Sequence, residues 1–537
     1  MKQIRVKNLR SLEDSGNIVV KPLTVLLGKN SVGKSTFLRM FPLFKQSLGI
    51  DRSEPLLWYS PELVDFGSFK ESVYNNEIDK EIEFSFDFLV DERNFMAAML
   101  FSTKFDYDFP ISIKINSQKR MFYDINLSLG VQDKRVSSIK FSIFDYFYEI
   151  IINPDNEISS LLINGIPNPI NKKFDKANNY LARKILPSIN IAIDTKSFQK
   201  NISIKKIKRY EDEINDLIEI EFSKIKNGRV SNDAIKNIVK SLGYAYGPKN
   251  EFRERFMYEI SKLKTIKGKF QKLGDKKEEF FDCIYILYGF KHVNLFMDVI
   301  NSYLFDYFEN VQYIAPIRAT AQRYYRIQGL SMNDITPQGE NVPMVLNNMN
   351  LDEKQKWNAW TKEKFNIEFD VIENEANLSI KLIKNGHEIN LADTGFGYSQ
   401  LLPILLYIWR TPNLTDDSLD TYPGFGNKIK TLVIEQPELH LHPALQSKLM
   451  DIFIDVVSKL NDMNFNILME THSEEMVNRI GQHIVNSSLT NDSVNILLFN
   501  ENNKENIILQ TKFSNQGYLE NWPIDFFMSD SIDEDFI

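Results

Sequence analysis

The chain has 537 residues, a mass of 62.7 kDa and a formal charge of −8, from 64 Lys+Arg against 72 Asp+Glu. Hydrophobic residues make up 43% and charged residues 25%, which excludes wholesale disorder, a collagen-like chain and a disulfide-stapled miniprotein. A single cysteine, Cys283, excludes an intramolecular disulfide and a cysteine-based zinc site, and fits a reducing, cytoplasmic setting.

The N-terminal MKQIRVKNLR lacks the apolar stretch of a signal peptide. Short alternating strands are expected at Ile4–Val6 and Ile18–Val20, and Leu23–Leu27 is a continuous apolar run of the kind that forms a buried strand. A loop, Gly28–Ser35, and a helix over Thr36–Leu48 follow. The loop reads Gly28-Lys29-Asn30-Ser31-Val32-Gly33-Lys34-Ser35 and fits G-x-x-x-x-G-K-[ST]. Glycines at its ends let successive backbone N–H groups point at a phosphate, and the next helix adds its positive end. Gly28, Asn30, Ser31, Gly33, Lys34, Ser35 and Thr36 are therefore candidate ATP contacts. Lys34 is suited to the β- and γ-phosphates and the Ser35 hydroxyl to Mg²⁺.

From about Glu81 to Ile163 the runs EIEFSFDFLV, FPISIKIN, MFYDINLSLG, SSIKFSIF and YEIIIN alternate and are separated by turn formers. They read as an antiparallel meander. From about Ala177 to Tyr307 the spacing becomes helical, as in Asp212–Lys226 and Glu278–Leu304. Residues 172–277 carry a charge of +13, which leaves −21 for the rest. This is a basic helical insertion and the candidate place for DNA or for docking a partner; a solvated lysine face is the plainer alternative. No uninterrupted apolar run reaches the roughly 18–20 residues needed to span a bilayer, so no membrane association is expected.

VQYIAPIR then returns the chain to strand-helix alternation. Asp393-Thr394-Gly395-Phe396-Gly397-Tyr398-Ser399-Gln400 precedes an apolar helix, Leu401–Trp409, and suits either an anion site or a capped helix. Strand Thr431–Ile434 ends in Glu435-Gln436-Pro437-Glu438, where Glu435 is placed to hold the Mg²⁺ water shell. His440 and His442 stand two apart before a proline, too few for zinc without a third ligand. Strand Asn466–Met469 ends in Glu470-Thr471-His472-Ser473. There His472 could stabilise charge on a terminal phosphate, and Ser473 could cap the next helix. Strand Val494–Phe499 closes a largely parallel sheet.

In this order the segments resemble an ABC-type ATPase of the RecF/SMC/OLD group, and more narrowly the OLD-like and PtuA-like bacterial defence ATPases. The resemblance implies an α/β fold: an ABC-type P-loop ATPase head with an antiparallel β subdomain and a helical insertion, where relatives carry either a coiled coil or a helical arm. Residues 1–170 are then an N-terminal lobe, 171–310 the basic insertion, 311–512 a C-terminal lobe and 513–537 a tail, with Asn521-Trp522-Pro523-Ile524-Asp525-Phe526-Phe527 similar to one subfamily's ending. Arg10 matches the family's arginine loop, and Asp65–Phe69 occupies its Q-loop region without a glutamine. Ser399, with Gly395 and Gly397, matches the signature that binds the γ-phosphate of a second subunit, and His472 matches the switch histidine. The implied assembly is a head-to-tail homodimer, or a multiple of dimers, around ATP. Gln436 stands where relatives carry a glutamate base, which implies slow hydrolysis or a substitute base such as Glu438. Only a few tens of residues follow the last strand. The expected role is therefore sensor or regulator of a separate effector, such as a nuclease, in antiphage defence. A RecF-like DNA-repair clamp and an ATP-dependent scaffold are the alternatives.

Overall fold

The computed structural model describes residues 1–92, 94–95, 121–177, 180–192, 209–226, 230–328, 334–413, 429–459, 465–500 and 508–521. The expected strand at Phe109–Asn116 and the tail motif from Trp522 to Phe527 lie outside the described residues. The architecture is mixed α/β, and the chain forms two compact units. One holds Lys2–Gly49, Leu56–Glu77 and Asp306–Ile537; the other holds Met1, Ile50–Pro55 and Ile78–Phe305.

In the first unit, six strands among the described residues form one sheet. Their order is Val311–Ile314, Lys430–Glu435, Phe465–Glu470, Leu23–Gly28, Val494–Phe499 and Ile508–Thr511. The first five run parallel and the last is antiparallel. Every residue of Leu23–Gly28 and Val494–Phe499 is buried, which explains their largely apolar sequence, broken only by Thr24 and Asn495. A smaller antiparallel sheet pairs Glu368–Asn374, Asn377–Lys384 and His387–Asn390 with Tyr325–Arg326. Its Phe369, Ile380 and Leu382 share a core with Trp357 and the helix residues Leu401–Ile408. Near the N-terminus, Gln3–Leu9 pairs with Leu12–Asp14 and with Ile18–Val19.

In the second unit, the meander runs through Ile82–Asp91, Phe122–Gln132, Arg135–Ile143, Tyr146–Ile152, Ile158–Ile163 and Ile166–Pro167, each antiparallel to the next. Ile82, Phe84, Phe86, Phe88 and Val90 are all buried, so the period-2 pattern marks the core face. The meander shares its core with the helix Lys276–Glu309. Tyr285 stacks on Tyr146 at 4.4 Å and Tyr303 on Phe88 at 4.1 Å. The Tyr146 and Tyr148 hydroxyls donate to the Tyr285 and Gly289 carbonyls at 2.9 and 2.8 Å.

By length and composition that helix could cross a membrane, but 78% of its most apolar window is buried inside the protein, as in a core helix. The insertion is helical, and the apolar side chains of this helix have partners within the unit. The close approach needs Gly289: a Cβ there would stand 2.6 Å from Tyr146 Cε1. Gly289→Val is expected to cost about 1–3 kcal/mol, as overpacking of a filled core does. Denaturant unfolding would read this as a lowered midpoint; an unchanged midpoint would show that the helix and meander are not tightly packed.

The helices of this unit also carry the basic window. Part of its charge is locally matched. Lys172 pairs with Glu213, Lys184 with Asp298, Lys224 with Glu221, Lys249 with Asp282, Arg253 with Glu278, and Lys262 with Glu259.

Candidate functional site

The site is built at the C-terminal ends of the parallel strands, where loops can leave the sheet without breaking its ladder. Gly28 ends its strand with φ 154° and Gly33 opens the helix Lys34–Leu48 with φ 101°. Neither position has room for a side chain. A Cβ at Gly28 would lie 2.7 Å from the Phe499 carbonyl oxygen, and one at Gly33 would lie 2.5 Å from Leu12 Cδ2. Asn30 and Ser31 are exposed at the loop tip, Ser31 in the left-handed region, while Thr36 is buried. Lys34 is folded under the loop, its Nζ donating to the Gly28 and Lys29 carbonyls at 2.8 and 2.5 Å. Burial lowers its pKa, opposed by Glu470.

The sequence pairs Ser35 with Glu435 as metal ligands; the structure brings Ser35 to Glu470. The Ser35 hydroxyl donates to Glu470 Oε2 at 2.6 Å, and Lys34 Nζ stands 3.6 Å from Glu470 Oε1. Glu435 instead holds Arg39, whose Nε and Nη2 donate to its two carboxylate oxygens at 2.7 and 2.9 Å. The Tyr313 hydroxyl adds a third bond to Glu435 at 2.6 Å. Strand order is the cause. The Glu470 strand lies between the Glu435 strand and the phosphate-loop strand, with Glu470 level with Glu435 on one side and Leu26 on the other. Burial raises the Glu470 pKa, while Ser35 and Lys34 oppose the rise.

Arg39 and Tyr313 were not singled out as site residues by sequence reasoning. Arg39 lies four residues after Ser35 and so on the same helix face, which is the signal that could have found it. Tyr313 and Arg318 lie in the YIAPIR segment. Arg318 is buried and donates from Nη2 to the Glu435 carbonyl at 2.9 Å, with burial pushing its pKa down to about 10.

Gln436 follows its strand with φ 44°, and its N–H donates to the Glu470 carbonyl at 2.9 Å. Glu438 accepts the His472 backbone N–H on Oε1 at 2.7 Å. Its other oxygen, Oε2, is buried and meets no donor at hydrogen-bond geometry, the nearby Thr471 hydroxyl acting on the carboxylate only weakly. Burial raises the Glu438 pKa, and Glu438 is close enough to act electrostatically on Lys34. His472 Nε2 stands 3.8 Å from Glu470 Oε1, and burial together with Lys34 lowers its pKa, which favours the neutral imidazole. Ser473 caps the helix Glu474–Val485, accepting the Met476 N–H.

Arg10 sits in a left-handed turn with its guanidinium 4.4 Å from the centroid of the Phe66 ring and a bond to the Asp65 carbonyl. Burial and then the charge of Arg39 lower its pKa, so the two arginines sense each other. Leu12 and Ser11, beside it in sequence, are what a Gly33 side chain would strike. The hairpin thus brings Arg10 to the loop side of the sheet.

The expected signature residues open the helix Phe396–Asn413. Gly395 has φ 78°, a Cβ at Gly397 would lie 3.1 Å from the His440 carbonyl, and the buried Ser399 hydroxyl donates to the Phe396 carbonyl. Phe396 is exposed and its ring meets that of His440. Gln400 exchanges bonds with the Arg318 backbone, and Arg323 pairs with Asp393. His442 accepts the Ala444 N–H, so the two histidines serve the turn before Pro443.

The residues fit a nucleoside triphosphate with Mg²⁺. The glycine cradle excludes side chains, Ser35 and Glu470 offer the hard oxygen donors this cation takes, and the orphaned Glu438 oxygen is a free acceptor. A family model described as AAA ATPase domain matches residues 1–477. No curated relative matches. Among solved structures, an SMC head bound to the C-winged helix domain of ScpA aligns at 10% identity over 96% of this chain and 98% of that one, with a TM-score of 0.32. The SMC head domain from Thermotoga maritima aligns at 8% identity over the same shares, also with a TM-score of 0.32.

Proposed function

The chain belongs to the AAA ATPase domain family and is an ATP-binding ATPase; from that premise we propose that ATP joins two copies head to tail, and that the pair regulates a separate effector, such as a nuclease, in cytoplasmic antiphage defence. The observation that carries the nucleotide part is the group formed by Lys34, Ser35, Glu470 and the unpartnered Glu438 oxygen. When bound, Mg²⁺ offsets phosphate charge and polarises the terminal phosphoryl group. Lys34 binds the terminal phosphates, Ser35 and Glu470 hold the metal, and Glu435 keeps Arg39 and Tyr313 in place beside them. Glu438 Oε2 orients the attacking water and takes its proton. Gln436 can orient that water but cannot accept its proton, so without Glu438 basal turnover would be slow. His472 donates to charge developing on the γ-phosphate, and Arg10 contributes cationic charge from the hairpin.

Ser399, Gly395 and Gly397 act on the ATP of the second copy. Light scattering tests this. ATP with Mg²⁺ is expected to shift the protein from monomer to dimer, and Ser399→Arg to remain monomeric while still binding ATP. A dimer that forms without nucleotide and tolerates Ser399→Arg would overturn the head-to-tail arrangement.

The clamp alternative draws on the +13 of residues 172–277, offset in part by Glu278, Asp282 and Asp298 from outside that window. DNA affinity falling steeply with salt would support it. The scaffold alternative draws on Gln436 and requires ATP binding with no measurable phosphate release.

A further inference from the structure

The helical unit contains a cavity of about 480 Å³, within the range of roughly 300–1,000 Å³ usual for small-molecule sites. Its walls come from the helices Tyr210–Lys224, Asn232–Leu242 and Lys276–Glu309. Two polar groups in it are unmatched. Lys291 has no hydrogen-bond or ion-pair partner among the described residues. Its ammonium lies over the bare Cα of Gly243, where a Cβ would collide with it, and 5.3 Å from the Tyr288 ring centroid. Asn215 Oδ1 is buried and unpaired in the opposite sense, an acceptor lacking a donor.

The neighbouring charges sharpen this. Three of the four acids on the walls are engaged: Glu211 accepts from Asn294, Asp212 from the Arg209 N–H, and Asp298 pairs with Lys184. Glu219 lies one helical turn beyond Asn215 and on the same face. On the other wall Lys236, like Lys291, has no acid partner. The cavity thus offers two cations without an ion-pair contact at one side, Lys291 feeling Glu211 and Asp212 only at longer range, and two acceptors on one helix face at the other. The half-buried Lys291 ammonium and the buried Asn215 oxygen thus face one pocket with no direct hydrogen-bond partner, which leaves both available to a ligand.

We propose that this cavity binds a small phosphate monoester of nucleoside-monophosphate size, with Lys291 and Lys236 on the phosphate and Asn215 accepting from an N–H on the base. Burial, which pushes the Lys291 pKa down to about 8, agrees with an ammonium poised for an anion. The site is separate from the phosphate loop and independent of the function proposed above.

Isothermal calorimetry on the full chain in a Lys34→Ala background keeps the two sites apart, with AMP, GMP, CMP and UMP as probes. At least one is expected to bind one per chain, at least tenfold more weakly in Lys291→Met and at least threefold more weakly in Asn215→Leu. Thermal unfolding adds a second readout: Lys291→Met is expected to melt no lower than its parent, because it removes an unpaired buried charge. Binding by none of the four nucleotides would overturn the proposal, as would undiminished binding in both variants. A Lys291→Met protein that melts markedly lower would overturn it too, since Lys291 would then serve the C-terminus of the helix Asn232–Leu242.

Discussion

Replacing Lys34 by alanine is expected to lower kcat/KM for ATP by at least about 100-fold, or about 3 kcal/mol of transition-state stabilisation. The side chain is almost wholly buried and held by the Gly28 and Lys29 carbonyls, so its position is set before any phosphate arrives. That preorganisation makes its loss expensive, because water cannot reproduce a fixed charge in this environment. Lys34→Arg is expected to fail as well: the planar guanidinium is wider than an ammonium and does not fit between the two carbonyls. Steady-state phosphate release and nucleotide-binding titrations check both. Near-normal turnover in Lys34→Ala would place the chemistry elsewhere in the molecule.

Glu438→Gln carries the second large effect, a fall in kcat of about 100-fold or more, the scale of general-base catalysis. Glutamine keeps the shape and can still accept the His472 N–H, but it cannot take a proton at the position of the unpartnered oxygen. Gln436→Ala is expected to change kcat by less than about threefold, since the Gln436 side chain can only orient water. The opposite ranking of these two variants would transfer the role to Gln436.

Stability should move the other way. Burial raises the Glu438 pKa above its ordinary value of 4.5. The native state therefore binds this proton more tightly than the unfolded chain, and stability falls as pH rises from about 4.5 through the raised value. Glu438→Gln removes that cost. Its melting temperature is expected to exceed the parent's at neutral pH, with the gain vanishing below pH 4.5. A variant that is inactive yet more stable at neutral pH marks a carboxylate kept for chemistry.

The phosphate loop was legible because its needs are local. Gly28 and Gly33 must take backbone angles that side chains resist, and Lys34 and Ser35 follow at fixed offsets. The buried strands were legible for a similar reason, since Leu23–Gly28 and Val494–Phe499 are each apolar but for one residue. Glu435 and Glu470 were both visible as acids ending such strands. Which of them meets Ser35 was not.

By itself, then, the sequence determined the loop, the strand-helix alternation around it, the alternating meander and the chain's acidic frame with a basic segment. Those follow from backbone geometry and from the periods at which apolar residues recur, which are properties of neighbours along the chain. Tertiary structure alone decided the rest. Sheet order seats the Glu470 strand next to the phosphate loop and leaves Glu435 to Arg39 and Tyr313, across separations of more than 100 residues. Burial singles out one oxygen of Glu438. Packing joins the meander to the helix Lys276–Glu309, matches part of the basic charge with acids, and brings Lys291 and Asn215 to one pocket. Strand neighbours, burial and charge pairing depend on which distant segments meet, and local residue patterns carry no record of that.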